Sequence, residues 1–316
     1  QRAILAIAAL GGDPTNFGTY NGEPIDLVAD GTYNCKIEPG KQGVNGEAFA
    51  LLAKNTLDYE IPDSVQYSDE YLITSILSKQ LRVDGRYVGW DVRPTATTSD
   101  PDMTGMIIQA LSPYYWDDTE YTYDNVKTGE SRTVTVRQVV DEALDALGEL
   151  QTEYGDYICY GDRNVESTVQ VLAAITSLGI DPLTDERFIK NGNTLIDGIQ
   201  SFSLSGGGYE HMLGGGWNYM ATDQGNYGMV AAWRYFNGMR SLYDMRPEFT
   251  DEQKAQIQSV KDTIDAALEK EGEDGYYEAL AAAKQTYDDA VAGFEDPTLR
   301  NYITNYWELM DAIPDE

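Results

Sequence analysis

Three carboxylates at the heads of apolar, helix-like segments, Asp102, Glu166 and Asp223, are the residues with most capacity for chemistry. Two carboxyl groups facing each other across roughly 5 to 10 Å can hydrolyse a glycosidic bond, one as acid and the other as base or nucleophile. The same residues also have a structural use. Asp100-Pro101 reads as an N-cap followed by proline at the first helical position, and Asp102 suits the positive end of that helix. Such a helix end is expected to hold each carboxylate ionised. Other chemistries find fewer parts. His211 is the sole histidine, it lies in the glycine-rich stretch Gly206-Gly207-Gly208-Tyr209-Glu210-His211, and no Gly-x-Ser-x-Gly elbow accompanies it. Cys35 and Cys159 fit no metal-binding spacing, and the sequence leaves open whether they pair. No metal and no cofactor is implied.

What the carboxylates can do depends on the elements that carry them. Segments with a polar start and an Ala-rich apolar body recur at Gln1 to Leu10, Asn45 to Ala53, Asp102 to Leu111, Glu166 to Ile175 and Asp223 to Ala232. The last four begin at intervals of 57, 64 and 57 residues, a period typical of repeated supersecondary units. Apolar almost all round, they are expected to be buried helices. Amphipathic helices alternate with them: Asp69 to Leu81, Val136 to Gln151 and Asn193 to Leu204. In the second, Val136, Val139, Val140, Ala143, Leu144, Leu147 and Leu150 share one face. Leu10-Gly11-Gly12-Asp13-Pro14 and Leu178-Gly179-Ile180-Asp181-Pro182 read as helix stops. Asn164 and Thr222 stand where caps for the helices at Glu166 and Asp223 belong. Strand content is expected to be small, with one short hairpin between Tyr121 to Tyr123 and Thr133 to Val136.

The expected fold is all-α, an α/α toroid of inner and outer helices over residues 1–246. A boundary at Arg246-Pro247 precedes a charged helical extension or small bundle, 247–316, opened by the capping box Thr250-Asp251-Glu252-Gln253. Its helices are expected at Thr250 to Glu269, Gly275 to Phe294 and Pro297 to Met310. The chain begins inside an apolar run, so a mature or excised fragment of a larger protein is expected. With 42% apolar residues it has enough to build a core. A net charge of −31 repels nucleic acid and anionic lipid, and no apolar run is long enough to span a bilayer.

If the inner helices are parallel, their starts meet at one mouth. The candidate ligand-binding residues there are Asn45, Asp102, Glu166, Asp223 and Gln224, with Trp90, Tyr114, Tyr115, Trp217 and Tyr219 as aromatic walls. Carboxylates, amides and aromatic faces together suit a polar ring-shaped ligand such as a sugar. Capping and loop packing account for the same residues without a ligand.

Several stretches resemble the repeats of the terpenoid-cyclase and prenyltransferase superfamily. They are Asp100-Pro101-Asp102-Met103-Thr104-Gly105 through Leu111, Glu166-Ser167-Thr168-Val169-Gln170 through Ile175, Asn191-Gly192-Asn193-Thr194, and Met220-Ala221-Thr222-Asp223-Gln224 through Arg234. Taken in order over about three quarters of the chain, they are similar to an exported cell-surface branch of Gram-positive bacteria, which also resembles transcobalamin-like carriers. The resemblance implies an extracellular binding module that holds a small molecule or glycan, with a corrinoid as its most specific ligand and further domains of a surface protein beside it. The alternative is a secreted carbohydrate-active or cyclase-like enzyme. Class II cyclases of the superfamily use Asp-x-Asp-Asp with its middle Asp as general acid, whereas Met103 replaces the last Asp of Asp100-Pro101-Asp102-Met103. Zinc-dependent prenyltransferases require Asp, Cys and His ligands, and no Asp-x-Cys occurs on a matching helix. The thioester motif of complement-type toroids is also missing. An enzyme is therefore the lesser expectation.

Overall fold

Repeated apolar segments become helices because each supplies enough buried surface to offset the ordering of its backbone. The computed structural model describes residues 1–93 and 96–314. The chain divides into two compact units, Gln1–Arg246 and Pro247–Glu316.

The first unit contains α1 (Arg2–Ala9), α2 (Val44–Asn55), α3 (Asp69–Ser78), α4 (Pro101–Leu111), α5 (Val136–Leu150), α6 (Val165–Ser177), α7 (Leu195–Gln200) and α8 (Tyr219–Phe236). Antiparallel hairpins punctuate them: β1 (Thr19–Tyr20) with β2 (Glu23–Pro24), β3 (Arg82–Val83) with β4 (Arg86–Tyr87), β5 (Glu120–Asp124) with β6 (Ser131–Thr135), and β7 (Tyr157–Cys159) with β8 (Asp162–Asn164). The architecture is helix-rich, with a few short strands.

Helices α1, α2, α4, α6 and α8 pack in that order as a row, while α3, α5 and α7 pack on α2, α4 and α6. Side-chain pairs fix the directions. Lys54 near the end of α2 bonds Asp69 at the start of α3, and Lys79 after α3 bonds Glu47 in the first turn of α2, so the two are antiparallel. Tyr115, just past α4, bonds Asp141 in the second turn of α5, which gives a second antiparallel pair. Within the row the helices run parallel. Asp102 meets Ser167 at the starts of α4 and α6, and Asn55 meets Tyr114 at the ends of α2 and α4.

Glycines set the row's spacing. A Cβ on Gly105 would stand 2.7 Å from the Gln170 carbonyl, and one on Gly228 would stand 2.9 Å from Val169. The α4–α6 and α6–α8 pairs therefore approach more closely than any larger residue permits. Gln109 of α4 bonds Gln170 of α6 and accepts from Tyr227 of α8, joining three helices through one buried polar network. After α8 the chain returns to α2: Met245 N–H donates to the Thr56 carbonyl, the Thr56 hydroxyl donates to the Tyr243 carbonyl, and Tyr243 and Met245 pack on the cluster around Ile4, Leu5 and Ala53.

The structure corrects two sequence expectations here. Helix α6 is buried along nearly its whole length, but α8 buries only Ala221, Gly225, Gly228, Ala231 and Ala232 and exposes Met220, Val230, Trp233 and Phe236. The difference follows from neighbours: α6 is flanked by α4 and α8 and backed by α7, whereas α8 has α6 on one side. The cap of α8 is Asn218, one turn before Thr222, and Thr222 instead ties the backbone of Tyr209.

The second unit packs α9 (Asp251–Leu268), α10 (Tyr276–Gly293) and α11 (Tyr306–Ala312) against one another. Its core joins Ile257, Val260, Ile264 and Ala267 to Leu280, Ala283, Tyr287, Tyr306 and Leu309. The capping box at Thr250 is present. The single helix expected over Pro297 to Met310 is instead a 3₁₀ segment, Pro297–Tyr302, followed by α11, because Asp296 caps with proline next to it and the chain turns at Ile303.

Candidate functional site

The starts of α4 and α6 gather the titratable groups of the first unit. Asp100 caps α4, its Oδ1 accepting from Met103 N–H at 3.1 Å, with Pro101 at the first helical position. The other Asp100 oxygen accepts a long bond from the Cys159 thiol, 3.7 Å. Asn164 caps α6 through the Ser167 N–H, and the Ser167 hydroxyl donates to Asp102 Oδ2 at 3.1 Å. Glu166, buried in the first turn of α6, meets His211 Nδ1 with both carboxylate oxygens at 2.9 Å.

Burial and repulsion dominate this cluster. The Asp102 carboxyl is pushed up to about 6, first by burial, then by the charge of Asp100, with Glu166 adding to it; the Ser167 hydroxyl opposes the rise. The Cys159 thiol is pushed up to about 12 by burial and by Asp100 and Asp102. The helix end is expected to favour the ionised carboxylate, and burial with the neighbouring carboxylates acts against it, raising the carboxyl while leaving it mostly ionised at neutral pH.

One donor atom each from Asp100, Asp102 and Cys159 lie within 4.8 Å of one another. A thiolate with carboxylates suits a borderline cation such as zinc. Here the cluster is satisfied by protons, the thiol bonding Asp100 and Ser167 bonding Asp102, so a cation would have to displace a firmly held thiol proton.

The sequence candidates divide. Asp102 and Glu166 come together. Trp217, 60% exposed, and Tyr219, 76% exposed, stand edge to face at 6.5 Å just before and at the start of α8. Trp217 bridges to Glu210, the neighbour of His211, which ties this aromatic pair to the Glu166 side of the cluster. Asp223 is exposed and Gln224 half-buried in the second turn of α8, and among the described residues no hydrogen bond or ion pair joins either to Asp102 or Glu166. Asn45 lies in the first turn of α2, half-buried, with an unpaired Oδ1.

Three aromatic candidates are not where the sequence reading put them. Trp90 is fully buried, its Nε1–H bonded to the Ile76 carbonyl, so its ring faces no solvent. Tyr114 and Tyr115 follow the C-terminal end of α4, a helix length away from Asp102. Their hydroxyls are engaged there with Asn55 and Asp141. Conversely, sequence reasoning gave Tyr160 no role, read Cys159 on the β7–β8 hairpin only as a cysteine without metal-binding spacing, and did not connect His211 with Glu166. The available signal was position: the hairpin leads directly into the capped start of α6.

No family model, no curated protein and no solved structure matches this chain. Among the described residues no helix is long and apolar enough to cross a membrane.

Proposed function

We propose that residues 1–246 form an α/α toroid of the terpenoid-cyclase and prenyltransferase-like kind, serving as an exported cell-surface module that holds a small molecule or glycan at the helix-start end. Three observations support the toroid: the parallel row with antiparallel partners, the convergence of Tyr227, Gln109 and Gln170 from three row helices, and the return of the chain from α8 to α2.

The observation that carries the ligand site is the Asp102 carboxyl, held up to about 6 next to Glu166. A half-buried carboxyl whose partners are the Ser167 hydroxyl and the Cys159 thiol, flanked by further carboxylates, is costly for folding alone, and a polar ligand offering donors would relieve that cost. Exposed Trp217 and Tyr219 supply flat apolar contact at the same end. Titration calorimetry with oligosaccharides and with a corrinoid tests the reading. Binding that weakens in Asp102→Asn supports it, and equal affinity in wild type and variant removes Asp102 from the site.

A second reading rests on the same carboxyl. A group that stays protonated up to about pH 6 is suited to general acid work, with Glu166 as the adjacent carboxylate of a secreted carbohydrate-active or cyclase-like enzyme. Release of reducing sugar near pH 5 that disappears in both Asp102→Asn and Glu166→Gln would favour it over simple binding.

A further inference from the structure

Helices α2, α4 and α6 each carry a partner helix, α3, α5 and α7, whereas the chain after α8 returns to α2. No helix of the first unit therefore covers the side of α8 opposite α6. On a helix of 3.6 residues per turn, the positions opposite Gly228, which meets Val169 of α6, are Tyr219, Asp223, Asn226, Val230, Trp233 and Asn237. All six are exposed. Val230 and Trp233 on this face and Met220 and Phe236 at its borders are about half exposed. Together they leave roughly 400 Å² of apolar surface, a size at which exposed patches are often functional.

Charge says what covers it. A net charge of −31 makes copies of this chain repel one another, so any contact between copies needs a place where that charge is suspended. Residues 198–243 are such a place. Their only acidic residues are Glu210 and Asp223 and their only Lys or Arg residues are Arg234 and Arg240, a net charge of zero. Glu210 and Arg240 are buried, which leaves Asp223 and Arg234 as the charges that α8 itself presents. Asp223 has no hydrogen-bond or ion-pair partner among the described residues, and Arg234 is positioned by its Nε–H bond to the Arg240 carbonyl, 2.8 Å. Eleven residues separate the two, three helical turns, so they lie along one line of the helix surface. A face with one charge of each sign, equally far from its middle, complements its own reverse.

We infer that α8 is the contact face between two copies of this chain, packed antiparallel about a two-fold axis level with Gly228 and Met229. In that register Asp223 of each copy stands opposite Arg234 of the other, and the contact is self-complementary, as a two-fold interface requires. Apolar burial around Val230 and Trp233 supplies the attraction, and the paired charges fix direction and register. One helix from each copy buries about 1,000 Å² in total, the low end of specific interfaces, so the dimer is a reversible one.

Sedimentation equilibrium of the full chain at up to about 100 µM, in about 150 mM sodium chloride to screen the net charge, tests this. Wild type is expected to show the mass of two chains, with a dissociation constant on the order of 10 µM. Asp223→Arg and Arg234→Asp each set like charges opposite one another and are expected to weaken association at least about tenfold, as is Trp233→Ala. An equimolar mixture of Asp223→Arg with Arg234→Asp pairs every charge again and is expected to recover wild-type association within about threefold. Circular-dichroism melting checks that each variant is folded; if Arg234→Asp is not, having lost its bond to Arg240, then Asp223→Arg and Trp233→Ala decide. A single-chain mass for wild type at every concentration would leave the face to a different protein and overturn the inference. A dimer indifferent to Asp223→Arg and to Trp233→Ala would place the contact elsewhere and overturn it as well. Loss in both folded charge variants without recovery on mixing would overturn the antiparallel register.

Discussion

The two ends of the α4–α6 pair are built to different specifications. At the far end, the tyrosines after α4 are inserted among partners: Tyr114 accepts from Asn55, and Tyr115 donates to Asp141 at 2.8 Å. The two hydroxyls there face groups that complement them, as expected where burial serves stability, although the buried Trp116 Nε1 beside Tyr115 has no hydrogen-bond partner among the described residues. At the starting end, carboxyls are set beside carboxyls, Tyr160 on the adjoining hairpin holds a φ of 54°, and two large aromatics lie open to water. The binding reading proposed above rests on this difference between the two ends.

The largest effect that sharpens this contrast concerns the base on which the starting end stands. Trp90 fills the space under the α4 start, its backbone N–H bonded to Thr104 and its carbonyl to Asp100 N–H, with the indole fully buried. Trp90→Ala should destabilise the unit by about 3 to 5 kcal/mol, measured by denaturant unfolding. A loss under about 1 kcal/mol would mean that the start of α4 is not rigidly founded on Trp90.

Next comes Asp102→Asn, whose sign is opposite. The folded carboxyl is raised from 3.8 to about 6, so between these values the native state holds a proton that the unfolded chain has released. Stability contributed by this group therefore falls as pH rises from about 4 to above 6. Asparagine carries no such penalty. The variant should match wild type near pH 4 and exceed it by up to about 3 kcal/mol at pH 8. A variant less stable than wild type at pH 8 would remove the claim that this end is costly.

Much of this was readable in the sequence, for identifiable reasons. The caps at Asp100, Asn164 and Thr250 are local chemistry, and the apolar periods of α2, α4, α5 and α6 report burial directly. The meeting of Asp102 with Glu166 followed from the repeat, since equal spacing and parallel packing bring equivalent positions together. What was not readable depended on neighbours distant in sequence. Trp90 looks like a loop aromatic until α4 closes over it. Cys159 is 59 residues from Asp100, and only the folded hairpin joins them. The exposed face of α8 was illegible because α8, like α6, has a polar start followed by an apolar stretch containing an Ala-Ala pair, while exposure depends on how many helices surround it.

At the far end the expected effect is smaller and ordinary. Tyr115→Phe removes a donor to Asp141, a carboxyl already pushed up by burial but still paired with Arg137 at 3.4 Å. The loss should be about 1.5 kcal/mol at neutral pH, seen in thermal or urea unfolding, with no change in binding of any ligand that Asp102→Asn affects. A change in ligand affinity would break the separation of the two ends.

The smallest predicted effect is the most specific to the cluster. Ser167 donates to Asp102 Oδ2, and a hydroxyl donor stabilises an ionised acceptor more than a neutral one. Ser167→Ala should therefore raise the Asp102 carboxyl further, moving its titration above 6. Since the interaction is strongest with the carboxylate, the stability cost should be about 1 kcal/mol at pH 8 and about half that or less at pH 4. Carboxyl-detected NMR titration, with Asp102→Asn identifying the signal, reads the first quantity, and unfolding at the two pH values reads the second. A downward shift, or an equal cost at both pH values, would show that Ser167 acts as a packing residue for α4 against α6 and that the titration of Asp102 is set by burial and the neighbouring carboxylates alone.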